Sequence, residues 1–227
     1  MNGVALVAAG GVVRELVDAI NANRAWLSEI DGAIGDGDHG INMSKGFTAA
    51  GEALGDPTPP LPQALRVLSD ALMEGIGGSM GPLYGSLFSG MADTLDGAQT
   101  LDGPLCSRML HAAFDGVQEI GSAKPGDKTL LDALAPAVDA FDAAQREGKP
   151  FADSLDAMAA AAERGRDSTR DMIAKVGRAS RLGERSRGVL DAGASSCCLI
   201  LQTIAAGLKK RLATPGTHRA GAMGSPS

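Results

Sequence analysis

The amino-acid sequence predicts an all-α protein built from roughly eight helices. Apolar residues recur at steps of three and four along most of the chain, as they do in amphipathic helices. No segment shows sustained alternation of apolar and polar residues or a high content of β-branched residues, so no strand is predicted. Aromatic residues make up 3% of the chain, and the small side chains that must fill the interior favour closely packed helices.

Glycine and proline breakers divide the first half of the chain into predicted helices. The apolar spacing in residues 13–30 predicts the first helix, which ends at a glycine-rich loop. Residues 41–54 form the second predicted helix, and the run 55–60, which is rich in proline, terminates it. Residues 61–76 form the third, and Pro82 suits the first turn of the fourth.

The second half continues in the same way, up to a tail rich in Gly, Pro and Ser that we expect to be disordered. We therefore predict one domain over residues 1–213 and a tail over 214–227, in keeping with a length of 227 residues. The remaining predicted helices cover residues 105–120, 130–141, 151–176 and 194–212.

The composition excludes several classes of protein. A formal net charge of −6 argues against a nucleic-acid-binding protein, which usually carries a basic face. The three cysteines, two of them adjacent, fit neither a disulfide framework nor a zinc site, and indicate reduced thiols. Neither a signal peptide nor an apolar run long enough to cross a membrane is evident, so we expect a cytoplasmic protein.

The run 31–40 is the most informative feature of the chain. Asp31, Asp36 and Asp38 lie close together in the sequence, with glycines between and after them. Like charges at this spacing repel one another unless a cation lies among them, and the glycines allow turns that bring the carboxylates to one point. Hard oxygen ligands suit Mg²⁺, Ca²⁺ or Mn²⁺. The alternative is a solvated acidic turn.

Glycine-rich polar loops follow the first, third, fifth and seventh predicted helices. In an up-and-down helical array, alternate loops lie at the same end, so we expect these four to cluster where a site is assembled. The alternative is that each glycine only caps a helix, which explains single glycines but not four runs in alternate connections. The loops cover residues 31–40, 75–81, 121–127 and 177–188.

Three familiar motifs are excluded. The G-x-G-x-x-G string at 35–40 requires a preceding strand, whereas the preceding residues have helical spacing. An EF-hand loop is excluded because Ile41 and Phe47 stand where Gly and Glu are required. A Walker A loop is excluded because Asp127 separates the second glycine from Lys128.

Two of the other loops offer groups that suit phosphate. Lys128 and Thr129 are predicted to open a helix, where free N–H groups and the helix dipole favour anions. Asp127 would then act as the N-cap, which by itself also explains the pattern. The run 77–81 offers backbone N–H groups and the Ser79 hydroxyl at another helix start, and the alternative there is a plain turn between helices.

The loop 177–188 carries four arginines and one glutamate in an acidic protein. A solvated charge run is the usual explanation, but at the same end as the aspartates the loop supplies the cationic half of a metal–phosphate site. We favour Arg178 for this role. Residues 191–193 would either close over a bound base or cap the last helix. His39, beside the carboxylates, is expected to contact phosphate or to support the metal ligands.

Taken together, these loops resemble those of the nucleotide-binding subunit family of dihydroxyacetone kinases, also found as the C-terminal domain of single-chain kinases. The resemblance covers nearly the whole chain apart from the tail. It implies a closed barrel of eight antiparallel amphipathic helices with ADP or ATP bound at one end. The matching strings are IGDGDHGINM from residue 34, GGSMGPLYG from 77, KPGDKTLLDAL from 124 and GRASRLGERSRGVLDAGA from 177.

The resemblance also implies a set of site residues. Asp31, Asp36 and Asp38 would hold two Mg²⁺ ions that bridge the nucleotide phosphates, and Arg178 would meet those phosphates as the catalytic cation. The Ser79–Met80 part of the motif varies within the family. The residues that would contact the nucleotide are His39, Gly40, Ile41, Asn42, Ser79, Met80, Gly121, Thr129, Leu130, Arg178, Asp191, Ala192 and Gly193.

The implied activity is phosphoryl transfer through Mg-bound nucleotide to dihydroxyacetone or a close ketose such as a tetrulose. The family's ketose-binding subunit has no counterpart in this chain, so a partner subunit is expected. The phosphoryl donor would be a phosphohistidine protein fed from phosphoenolpyruvate, or ATP. A homodimer of this chain is a further candidate assembly. The alternatives are a nucleotide-binding regulator of a transcription factor and a lipid-kinase-like domain.

Overall fold

The chain folds as a helical assembly with one short antiparallel ladder. The computed structural model describes residues 3–213, and the predicted tail 214–227 lies outside the described residues. The elements in order are β1 (Gly3–Ala5), α1 (Leu6–Ala9), α2 (Gly11–Ala22), α3 (Arg24–Ile34), α4 (His39–Ala53), α5 (Leu61–Gly75), α6 (Met80–Thr94), β2 (Thr100–Asp102), α7 (Gly103–Ile120), α8 (Leu131–Arg146), α9 (Phe151–Ser168) and α10 (Ala192–Leu212), with 3₁₀ turns at Thr169–Asp171 and within Arg178–Ser186.

The helical prediction is confirmed, and the expectation of no strands is wrong in one place. Strands β1 and β2 pair antiparallel, with Val4 opposite Leu101. Both residues are buried, so the ladder fastens the N-terminus to the segment before α7. Three-residue strands are too short to show an alternating pattern, which is why the sequence did not reveal them.

The first predicted helix is in fact two helices. Asn23 separates α2 from α3, and its side-chain amide donates to the Ala19 carbonyl at 2.8 Å. The Ala19 carbonyl also accepts the Asn23 backbone N–H at 3.2 Å, so the side chain shares an acceptor with the helix ladder at the point where α2 ends. The predicted helix 151–176 also ends early, at Ser168, where the Thr169 hydroxyl donates to the Arg166 carbonyl at 2.6 Å.

The core is continuous and is filled mainly by aliphatic side chains. Helix α10 packs on α2, α8 and α9, and most of its apolar residues are buried. The few aromatic rings meet edge to face, with Phe47 against Phe88 and Phe141 against Phe151. Neighbouring helices contact one another in the succession α2, α4, α5, α6, α7, α8, α9, α10 and back to α2.

Helix α10 corrects one expectation drawn from the sequence. Among the described residues, Ala192–Leu212 is long and apolar enough to cross a membrane by length and composition. However, 67% of its most apolar window is buried inside the fold, as expected of a core helix. Its apolar character is therefore explained by contacts within the protein.

Candidate functional site

The four glycine-rich loops meet around one cavity at one end of the helices. The cavity has a volume of about 420 Å³ and receives residues from each of the four loops. The prediction that alternate loops cluster at one end is therefore confirmed. The predicted site residues that line the cavity are Asp31, Asp36, Asp38, His39, Asn42, Ser79, Met80, Gly121, Thr129, Leu130, Arg178, Asp191, Ala192 and Gly193.

The three aspartates converge on one point in the cavity wall. Asp31 lies in the last turns of α3, and Asp36 and Asp38 lie in the turn that leads to α4. One carboxylate oxygen from each lies within 4.8 Å of the other two. Gly37 between them has φ of 77°, a conformation that favours glycine. Three hard oxygen donors this close together fit a divalent cation such as Mg²⁺.

Residues 31–40, which we call the acidic loop, owe their geometry to a close approach of α3 and α4. A Cβ atom added at Gly40 would lie 2.0 Å from the Arg24 carbonyl oxygen, so only glycine fits there. The His39 backbone N–H also donates to Asp31 Oδ2 at 3.4 Å. The start of α4 therefore packs directly on α3, and the intervening turn has little freedom.

Two of the predicted contacts are not supported by the structure. Gly40 lies outside the cavity lining because its Cα faces the α3 backbone. Ile41 also lies outside the lining, and its side chain is 48% exposed on the outer side of α4. The helical turn at 39–42 places His39 and Asn42, three residues apart, toward the cavity and directs Ile41 away from it.

Behind the acidic loop lies a buried polar network that the sequence did not reveal. His39 Nε2 lies 2.8 Å from the Ser196 hydroxyl, which in turn lies 2.6 Å from the Tyr84 hydroxyl. The Tyr84 hydroxyl donates to the Gly193 carbonyl at 3.2 Å. Burial lowers the pKa of His39 to about 4, although the nearby Asp31 opposes this. His39 is thus neutral at physiological pH, and its Nε2 supports α10.

The side chain of Arg178 contacts the acidic loop at Asp36. Its guanidinium forms an ion pair with Asp36, while its side chain remains 65% exposed. It belongs to the segment between α9 and α10, residues 169–190, which we call the arginine segment. The structure therefore brings the predicted cation and the predicted metal ligands to the same wall of the cavity.

The prediction that Lys128 and Thr129 open a helix is wrong, because α8 begins at Leu131. The Thr129 hydroxyl accepts from the Leu131 N–H at 3.3 Å, and Lys128 is buried with its ammonium bonded to backbone carbonyls. Asp127 is not the N-cap either. Its carboxylate accepts from the Lys124 N–H at 2.8 Å and pairs with Lys175, and both contacts lower its pKa.

Asp191 does cap the last helix. Its Oδ1 accepts from the Ala194 N–H at 2.7 Å, at the N-cap position of α10. Burial raises the pKa of this carboxyl to about 7, with the nearby Asp132 adding to the shift. Because Asp191 also lines the cavity, its capping role and the predicted place near a bound base are compatible.

Comparison with known proteins identifies the family. The family model described as the DAK2 domain matches residues 33–206. The chain belongs to this family. The match includes the acidic turn, the arginine segment and most of α10, so the resemblance found in the sequence is confirmed.

DAK2 relatives include subunits and larger kinases. The chain is 36% identical to the ADP-binding subunit of PEP-dependent dihydroxyacetone kinase 2 of Listeria innocua, over 88% of this chain and 94% of that subunit. It is 33% identical to the L-erythrulose kinase of Pectobacterium atrosepticum, over 89% of this chain and 35% of that protein. The relatives are therefore kinases or kinase subunits.

A solved structure shows the same fold. The dihydroxyacetone kinase from C. freundii, determined in complex with AMP-PNP and Mg²⁺, aligns with a TM-score of 0.64 at 22% identity. The alignment covers 88% of this chain, which spans about a third of the C. freundii chain, at 33%. The similarity establishes the helical fold of the DAK2 domain for this protein.

Proposed function

We propose that this chain is the ADP- or ATP-binding subunit of a dihydroxyacetone-type kinase. The observation that carries the proposal is the convergence of Asp31, Asp36 and Asp38 within 4.8 Å, with Arg178 on the same cavity wall. The name of the Listeria innocua relative, an ADP-binding subunit, supports it. The succession of helix contacts from α2 round to α10 supports the closed eight-helix barrel that the resemblance implies.

The acidic loop would hold two Mg²⁺ ions. When bound, the ions supply positive charge that neutralises phosphate oxygens and the charge that develops during transfer. The carboxylates present only oxygen donors, and Asp36 is exposed in the cavity lining, which would leave the ligand set open to phosphate. The complex of AMP-PNP and Mg²⁺ in the C. freundii kinase supports a magnesium nucleotide.

The rest of the cavity would hold the nucleotide. Gly121, Leu130 and residues 191–193 line one part of the wall and would receive the base. Asn42 and the N–H groups near Ser79 and Met80 would receive the phosphates, with the peptide dipoles at the start of α6 favouring negative charge. His39, neutral and bonded to Ser196, would keep the adjacent α4 turn in place.

Transfer needs a partner that supplies the ketose. Arg178 would orient the phosphates and balance their charge, so the chemistry requires no covalent step on this chain. We propose a ketose-binding partner subunit for dihydroxyacetone or a close tetrulose, acting in the cytoplasm. The phosphoryl donor would be a phosphohistidine protein fed from phosphoenolpyruvate, or ATP. The names of the relatives include both a PEP-dependent subunit and an erythrulose kinase.

The test is a reconstituted phosphoryl-transfer assay. The purified protein is denatured, and any released nucleotide is identified by mass. The native protein is then mixed with dihydroxyacetone or erythrulose, a candidate ketose-binding subunit, and either ATP or a phosphoenolpyruvate-fed phosphohistidine protein. We expect sugar phosphate with one donor. Bound nucleotide without product from either donor and any partner would favour the regulator over the kinase subunit.

A further inference from the structure

Lys128 is the most deeply buried cationic side chain among the described residues. Its exposed fraction is 2%, although it lies in the cavity wall. Its ammonium donates to the carbonyls of Met172 at 3.2 Å, Ser186 at 2.5 Å and Val189 at 2.7 Å. Since an ammonium has three N–H donors, all of its hydrogen-bonding capacity is used on backbone carbonyls.

These three carbonyls belong to both limbs of the arginine segment. Met172 lies in the limb that leaves α9, whereas Ser186 and Val189 lie in the limb that returns to α10. The two limbs are also joined by the Ser186 hydroxyl, which accepts from the Ala174 N–H at 2.9 Å. Lys128 thus fastens the base of the segment, and the part that carries Arg178 projects beyond this base toward Asp36.

The position of Lys128 is unfavourable in two respects. Its φ is 64°, a conformation that L residues other than Asn and Asp rarely adopt. Its charge is also buried, and although the nearby Asp191 favours the charged form, no carboxylate of the described residues accepts a hydrogen bond from the ammonium. A short loop could avoid both features with glycine at this position. The ammonium is therefore explained by the carbonyls that it holds together.

We propose that Lys128 is a positioning residue that holds the arginine segment against the loop 121–130, so that Arg178 stays over the acidic loop. The inference rests on the proposed function, in which Arg178 meets the nucleotide phosphates. Lys128 joins the loop that lines the base side of the cavity to the segment that supplies the phosphate-side cation. Its action on the nucleotide is transmitted through Arg178.

The first test measures how firmly the segment is held, and it needs no nucleotide. Arg178, Arg181 and Arg185 are trypsin sites within the segment. Lys128→Met keeps the length of the side chain and removes its charge, and Lys128→Gly also relieves the unfavourable φ. We expect both variants to retain the far-ultraviolet circular dichroism of the wild type and to be cleaved faster at these sites.

The matched control is Lys175→Met. Lys175 pairs with Asp127 across the same two loops, but its side chain is 63% exposed, and exposed ion pairs contribute little. We expect its cleavage rate to stay near that of the wild type. Unchanged cleavage in both Lys128 variants would overturn the proposal, as would a loss of helical signal in both, because Lys128 would then support the whole fold.

The second test measures Mg-ADP affinity in a double-mutant cycle. We expect Lys128→Met to weaken binding roughly 10- to 100-fold, as removal of groups that orient a ligand-binding residue commonly does. In an Arg178→Ala background the same substitution should have little further effect. Full additivity would contradict an action through Arg178, and so would unchanged affinity in the single variant.

The two tests separate this inference from the proposed function. Wild-type protein that does not bind Mg-ADP would refute the proposed function, whereas the trypsin comparison would still decide whether Lys128 holds the segment. Wild-type binding of Mg-ADP together with unchanged cleavage in the Lys128 variants would retain the function and refute the role of Lys128.

Discussion

The two charged sides of the cavity are built differently. The acidic side is a short turn, residues 35–38, between two helices whose backbones touch at Gly40. The cationic side is the arginine segment, which is long, contains 3₁₀ turns but no α-helix, and is held at its base by the side chains of Lys128, Ser186 and Thr169. One side is fixed by helix packing, and the other by a few polar bonds.

This difference matches what each side has to do. Metal ligands must be placed to within a fraction of an ångström, so they benefit from a rigid turn between packed helices. Arg178 has to stay over the acidic loop but tolerates more movement than a metal ligand, because charge acts over longer distances than metal coordination. Substitutions on the acidic side should therefore abolish binding or destabilise the fold, whereas those on the cationic side should leave the fold intact.

The largest effect is expected from Asp36→Ala. Removing one of three converging carboxylates should reduce Mg²⁺-dependent nucleotide binding by more than the roughly 10- to 100-fold that follows loss of an outer-shell group. The measurement is nucleotide retained after gel filtration in Mg²⁺ buffer. Asp70→Ala, a change at an exposed residue outside the cavity lining, is the control. Retention equal to that of the wild type would refute the metal assignment.

Arg178→Ala should reduce the rate of sugar-phosphate formation by about 10³-fold or more, in the range that an arginine contributes in other phosphoryl-transfer enzymes. The side chain is 65% exposed, so the thermal midpoint should stay unchanged. Arg181→Ala, on the same segment, is a matched control with a smaller expected loss. A lower melting temperature together with an unchanged rate would mean that Arg178 supports the fold and not the transfer, which is the opposite of the expectation for the cationic side.

Gly40→Ala tests the rigid side through stability. The added methyl group would meet the Arg24 carbonyl, and overpacking of this kind costs about 1–3 kcal/mol. Denaturant unfolding of the metal-free protein measures the loss. At Gly77 an added Cβ would meet nothing within 4 Å, so Gly77→Ala should change the free energy of unfolding by less than about 0.5 kcal/mol. Equal effects at both positions would argue against close helix packing at Gly40.

Asp191→Asn should change the free energy of unfolding by an amount that depends on pH. The folded pKa of Asp191, about 7, lies above the ordinary value of 3.8, so the folded state binds this proton more tightly. Its contribution to stability therefore falls as pH rises through that interval. Asparagine keeps the capping oxygen and loses the dependence, so the variant should gain stability over the wild type near pH 8 and gain little at about pH 4.

The measurement is the difference in unfolding free energy between variant and wild type across that pH range, without metal or nucleotide. Asp191→Ala is the control, because it lacks the cap and should lose about 1 kcal/mol at low pH. A difference between Asn variant and wild type that does not change with pH would contradict the raised pKa.

Much of the acidic side could be predicted from the sequence. Asp31, Asp36 and Asp38 lie in one local run, and the glycines between them indicate the turn that brings them together. The positions of most helices could also be predicted from the local spacing of apolar residues and from the glycine and proline breakers between them. The split at Asn23 was missed because apolar spacing on either side of it fits one helix as well as two.

The cationic side could be predicted only in part. The arginine cluster was evident, but Lys128 was assigned to a helix start because the apolar spacing that begins at Leu130 predicts a helix directly after it. Its partners lie 44 to 61 residues further along the chain, and its φ is set by tertiary contacts. The bond between His39 and Ser196 spans 157 residues, so no local pattern predicts it.

We propose that the acidic loop holds the nucleotide phosphates through bound metal. Calorimetric titration of the nucleotide-free wild-type protein with ADP, in Mg²⁺ and in excess chelator, tests it most directly. We expect binding in Mg²⁺ and a loss of at least roughly 100-fold in chelator, because three carboxylates without a cation repel phosphate. Equal affinity under both conditions would contradict it.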